Sequence, residues 1–188
     1  MIKTTIIIIF CLLSTITKAQ TSDVEKSTYG IQVGLIGAWV HNESKLSNTI
    51  ALRTELGFDS GIWGGSFYEK TGFLMTPKIT LEPRWYYNLA KRASKGKKTY
   101  GNGGNFVSLN ATYHPDWFVI SNYDNISVIS DISFIPTWGI RRNFSKHFNY
   151  EVGAGLGVHH IFAKQAGYSK NETEIIPNIH VRIGYRIN

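Results

Sequence analysis

Cysteine, methionine and proline are scarce in this 188-residue chain, with one, two and five of each. The single thiol, Cys11, lies in an uncharged apolar run from Ile6 to Ile16 behind Lys3. Thr17-Lys18-Ala19, just before Gln20, has the small-x-small form of a cleavage site. A signal peptide is predicted over 1–19 and one domain over 20–188. The exported chain then has no thiol, which excludes a disulfide framework and a thiolate metal site. Beyond residue 19 no apolar run approaches the roughly 18 residues of a spanning helix. Carboxylates are absent from Pro83 to Pro115, the segment that holds Lys91, Arg92, Lys95, Lys97 and Lys98. Loss of Lys3 and Lys18 with the leader lowers the net charge from +7 to +5, and most of that excess sits in this one segment. It reads as a solvated basic turn with access to anionic headgroups, and an exported chain is not expected to meet nucleic acid. The 43% hydrophobic content is too high for disorder.

What is present is alternation. Ile175, Pro177, Ile179, Val181, Ile183, Tyr185 and Ile187 share one parity, against Asn178, His180, Arg182, Gly184 and Arg186 on the other. A period of two is that of a strand with two unlike faces. The same pattern runs through 29–35, 50–58, 75–85, 107–113, 126–140 and 148–162. An eighth strand, weakly alternating, is placed at Ile62 to Glu69, between turns at Asp59-Ser60-Gly61 and Lys70-Thr71-Gly72. The predicted fold is all-β: an eight-stranded antiparallel up-and-down transmembrane β-barrel with a filled lumen, closure being what removes strand edges.

Alternation does not say which face is inside. Lysines fall mainly in connections, Gly153, Gly155 and Gly157 leave room on the polar parity, and Trp39, Trp63, Trp85, Tyr86, Tyr87, Trp117, Trp138 and Tyr185 gather near strand ends. These features place lipid outside and charge inside. Arg53, Glu55, Lys78, Glu82, Arg84, Asp131, Glu151, Arg182 and Arg186 then form a mixed-sign lumen network that fills the barrel instead of lining a channel. The function expected is a small outer-membrane barrel with a structural or surface-interaction role, not a pore. The alternatives are an envelope-lipid-modifying barrel enzyme and a secreted lipocalin-like carrier, the latter prompted by Gly37-Ala38-Trp39. The expected partners are outer-membrane lipid and the barrel-insertion machinery.

The stretch Leu81-Glu82-Pro83-Arg84-Trp85-Tyr86-Tyr87-Asn88-Leu89 with Lys91-Arg92 and Lys95-Gly96-Lys97 resembles a segment of small outer-membrane β-barrel proteins of Bacteroidota-type bacteria. Gly139-Ile140-Arg141-Arg142-Asn143 with Lys146-His147-Phe148-Asn149-Tyr150-Glu151, and Lys18-Ala19-Gln20, share the resemblance. It implies a barrel in the outer membrane after cleavage near Ala19, and no assigned reaction. Arg186-Ile187-Asn188 departs from the terminal aromatic common in such barrels.

No catalytic constellation, cofactor or metal site is expected. Gly153-Ala154-Gly155-Leu156-Gly157 lies in a strand and opens no helix, unlike a dinucleotide loop. His159 and His160 point to opposite faces, and His159 with His180 lacks a third ligand. His160 is the best candidate for an enzyme reading. With a periplasmic N-terminus, the connections at 41–47, 70–73, 116–125 and 163–173 are expected outside, and those at 59–61, 88–104 and 141–147 inside. A last hairpin centred in 163–173 would set Glu151 opposite Arg186 as an ion pair.

Overall fold

The computed structural model describes residues 23–187, so the expected signal peptide lies outside the described residues. Within them the strands are β1 Ser27–Gly34, β2 Gly37–Lys45, β3 Ile50–Trp63, β4 Gly72–Trp85, β5 Asn105–His114, the two-residue β6 Ile120–Ser121, β7 Asp131–Asn143, β8 Phe148–Ile161 and β9 Glu172–Arg186, with a short helix α1, Leu89–Ala93. The ladder order is β3-β2-β1-β9-β8-β7-β5-β4, antiparallel throughout, and β3 pairs with β4 to close an eight-stranded barrel. Followed from partner to partner, the registers return to β3 about twelve residues below their start, a stagger that tilts the strands by roughly 45°.

The expected strands are corrected at three places, one of them the strand expected over 126–140, which spans Asp131–Asn143. The chain turns at Leu35-Ile36, residues 37–45 form β2, and Asp59-Ser60-Gly61 runs straight through β3 opposite Thr76, Met75 and Leu74. The segment 64–71 is a connection, not a strand. The strand count is kept because one strand was missed and one misplaced. Gly37 makes the first turn feasible: its φ is 157°, and a Cβ there would collide with the Phe58 carbonyl. The connection expected outside at 41–47 is therefore a four-residue turn, 46–49, on the same end as 86–104 and 144–147. The opposite end has the connections 64–71, 115–130 and 162–171.

The parity assignment places side chains as follows. Val107, Phe134, Leu156, Ile175, Ile179 and Val181 are exposed on the outer wall, while Arg53, Glu82, Arg84 and Arg182 are buried inside. Four prolines on the outer parity each turn the donor they lack toward a place without a ladder bond. The β4–β5 ladder skips Pro83, and Pro77 lies past the end of β5 on that same side. The β7–β8 ladder skips Pro136. Ile187 donates its N–H to Tyr29 of β1, so Pro177, of the same parity, turns its backbone to the β1 side, where β1 has already ended.

The end at which the described residues begin and stop, at Asp23 and Ile187, is closed by its longest connection. Tyr86, Leu89 of α1 and Phe106 pack with Val24 and Ala51 into a small apolar floor, and Lys91, Lys95, Lys97 and Lys98 are exposed below it. The basic segment is long because its apolar side closes the lumen.

Candidate functional site

The lumen is stacked in three layers of polar groups. The central one holds four glutamates and four arginines, all less than 5% exposed. Arg84 donates Nη1 and Nη2 to Glu151 at 2.8 and 2.9 Å, and Nη2 also to Glu82 at 2.7 Å. Glu82 accepts the Ser108 hydroxyl at 2.6 Å. Arg53 donates to Glu55, to Glu43 at 3.1 Å and to the Gln32 amide oxygen at 2.6 Å. Arg182 reaches Glu55 at 2.7 Å and stacks over the Trp39 ring. Equal numbers of each sign balance the charge of the layer, although Glu55 Oε2, Arg84 Nε and Arg182 Nε make no hydrogen bond.

Two members of this layer escaped the sequence reading. Glu43 accepts Tyr86 Oη at 2.9 Å and Asn102 Nδ2 at 2.8 Å and meets Arg141 at 2.6 Å. Arg141 in turn grips Glu151 through Nε and Nη2 at 2.9 and 2.6 Å. Both had been put in connections. The available signal was the alternation Trp39, His41, Glu43 against Ala38 and Val40, blurred because Asn42 and Ser44 make the lower outer face of β2 polar as well.

Lys78, Asp131 and Arg186 stand outside the central layer. Toward the 115–130 end, Asp59 accepts Trp39 Nε1 at 2.8 Å and lies 3.3 Å from Lys78 Nζ. His114 bridges Asp59 and Asp131 at 3.2 and 2.8 Å, and His159 bridges Asp131 and Glu174, each at 3.1 Å. At the opposite rim Arg186 pairs with Glu25 at 3.4 Å, not with Glu151. The β8–β9 register faces Glu151 with Arg182, four residues from the expected partner.

The imidazoles do not converge. His180 lies 3.5 Å from Glu151, in a different layer from His159. His160 is on the outer face, 2.7 Å from the Thr173 hydroxyl and edge-on to Phe162. Among the described residues no group of three or more His, Cys, Asp or Glu side chains is arranged to hold a metal ion. A carrier would need an apolar interior, whereas here the interior is charged and the apolar parity faces outward.

No family model matches the chain, and no curated protein matches it. Among solved structures, the crystal structure of Acinetobacter baumannii CarO2 is similar at 10% sequence identity, with a TM-score of 0.47 over 85% of this chain and 96% of that one.

Proposed function

We propose that this chain is a small outer-membrane barrel with a structural or surface-interaction role, and that its lumen is a plug and not a pore. The observation that carries the reading is the inverted polarity. Isoleucine, leucine, valine and aromatic side chains cover the outer wall, while the enclosed arginines and glutamates neutralise each other inside. Such a wall is stable against hydrocarbon and costly in water. An aromatic group consistent with an interfacial girdle lies near the terminal end. The Trp85 and Tyr87 rings meet at 5.8 Å, tilted by 58°, Trp138 Nε1 donates to Tyr87 Oη at 2.8 Å, and Phe148 meets Tyr185 at 5.2 Å.

The reading includes cleavage near Ala19, insertion by the barrel machinery, contact with outer-membrane lipid, and membership of the Bacteroidota-type barrels that the 81–97 and 139–151 motifs resemble. The basic residues of 91–98, below the girdle, suit a leaflet surface with anionic headgroups. The test is membrane fractionation with heat-modifiable gel mobility of the folded chain. Recovery in the outer-membrane fraction as a heat-modifiable band is expected, and recovery in the soluble extracellular fraction would overturn the reading.

A further inference from the structure

The barrel wall has a notch. The β1–β2 hairpin stops at Gly34 and Gly37, whose partners are Arg182 on β9 and Asp59 on β3. Beyond them β9 continues to Glu172 and β3 to Trp63 with no strand between among the described residues. The missing wall is about ten residues, or roughly 33 Å, along β9. The tip of the short hairpin is Leu35-Ile36, 85% and 54% exposed, and Ile179 beside it is 75% exposed. An apolar turn flanked by apolar outer positions belongs in hydrocarbon, so the notch opens to lipid and not to water. An open sheet edge at that depth is costly until something covers it.

A cavity of about 90 Å³ runs from this notch into the lumen, passing from Leu35, Ile36 and Ile179 to Lys78, His180 and Arg182. His180 and Arg182 are more than nine-tenths buried. Arg182 Nη1 is held by Glu55 at 2.7 Å and His180 Nε2 lies 3.5 Å from Glu151, but Arg182 Nε and the two His180 ring nitrogens make no hydrogen bond. A buried guanidinium N–H without an acceptor, as at Arg182 Nε, is uncommon, and the imidazole beside it has room to donate one hydrogen bond more. The wall of the cavity is thus apolar at its mouth, and its end presents Lys78, His180 and Arg182, which share Asp59, Glu151 and Glu55 behind them.

We propose that the notch binds a single-chain amphiphile with a carboxylate head, the head on Lys78, His180 and Arg182 and the chain in the gap beside β9. A strand from a second protein copy fits less well, because Pro177 sits midway along the open edge with its backbone turned to the notch and no N–H to offer. The inference rests on the membrane reading above, and fractionation separates the two: a soluble chain ends that reading, whereas a membrane-borne barrel that fails to bind ends only this one.

The experiment titrates the refolded chain, in nanodiscs of zwitterionic lipid, with decanoate labelled with ¹³C at the carboxyl, read by NMR. One saturable site per barrel is expected, with decanol, of the same chain length and a neutral head, and acetate, which has no chain, both failing to displace it. Ile179→Trp, an outer-wall change that fills the mouth, should abolish the bound signal while leaving heat-modifiable mobility intact. Lys78→Met should weaken binding about tenfold, the worth of one charge-assisted hydrogen bond. Displacement by decanol would reduce the site to an apolar groove, displacement by acetate to a free-anion site, and no saturable signal to a water-filled defect. Each of these three results overturns the proposal.

Discussion

Glu151 on β8 and Arg84 on β4 meet across the lumen in a two-point contact of 2.8 and 2.9 Å, although β7 and β5 stand between their strands in the wall. The pair is a cross-brace that no single hairpin could supply. Arg141 shares the same carboxylate, so Glu151 contacts two guanidiniums in a layer that is less than 5% exposed. Removing it leaves buried positive charge without a partner. Glu151→Gln should therefore lower the unfolding free energy by about 3–5 kcal/mol. Lys45→Met, which breaks the partly exposed pair with Asp23 at 3.4 Å, should change it by less than about 1 kcal/mol. Urea unfolding of both variants in lipid vesicles measures the difference, and equal effects would mean that water enters the central layer.

Conductance follows from the same layer. The side chains of Arg53, Glu43, Glu55, Glu82, Arg84, Arg141 and Glu151 are at most 2% exposed, and the proposed plug rests on them. Purified protein in planar bilayers should show no stable channel events. Reproducible unitary steps would contradict the plug.

The alternation and the inward charge of most strands were legible in the sequence because a barrel wall forces a period of two and separates an apolar outer face from a crowded, charged interior. Strand ends were not, since alternation carries no mark at a turn that is itself apolar: Leu35-Ile36 continues the apolar character of β1 instead of interrupting it. That hid β2, and with it Glu43. The Glu151–Arg186 expectation failed for a related reason. β8 ends at Ile161 and β9 begins at Glu172, so the connection is centred two residues earlier than assumed and the register moves by four. A short helical turn at Ala163–Ala166, fastened by the Asn171 side chain to the Lys164 N–H at 2.9 Å, sets that boundary. Pairings across the lumen, such as Arg84 with Glu151, depend on the register of every intervening ladder and could not be read from any one of them.

Topology is open to a labelling test without background, because the chain after the expected cleavage site has no cysteine. Ser66 lies in the 64–71 connection and Ser94 just after α1, at opposite ends of the barrel. With the termini in the periplasm, Ser66→Cys should react with a membrane-impermeant maleimide on intact cells, and Ser94→Cys only after lysis. The reverse pattern would turn the barrel over. Labelling of both on intact cells would mean that one of the two connections does not lie at the end of the barrel assigned to it.

Pro177 is the guard of the one long open edge. Ile175 and Ile179, of the same parity, turn their N–H groups to the notch, and a proline between them breaks what would otherwise be a run of donors able to accept a foreign strand. Leu156 faces Pro177 across the β8 ladder, and Pro177 does not use its backbone nitrogen there, so a β-branched apolar residue would fit the outer wall and restore the donor. Pro177→Val should leave the barrel folded and heat-modifiable while raising the fraction of edge-to-edge dimer seen by light scattering in mild detergent and by cross-linking in vesicles. If the variant remains monomeric at every protein-to-detergent ratio, the edge is protected by something other than this proline, and a bound amphiphile that covers the notch would be the next occupant to remove before repeating the measurement.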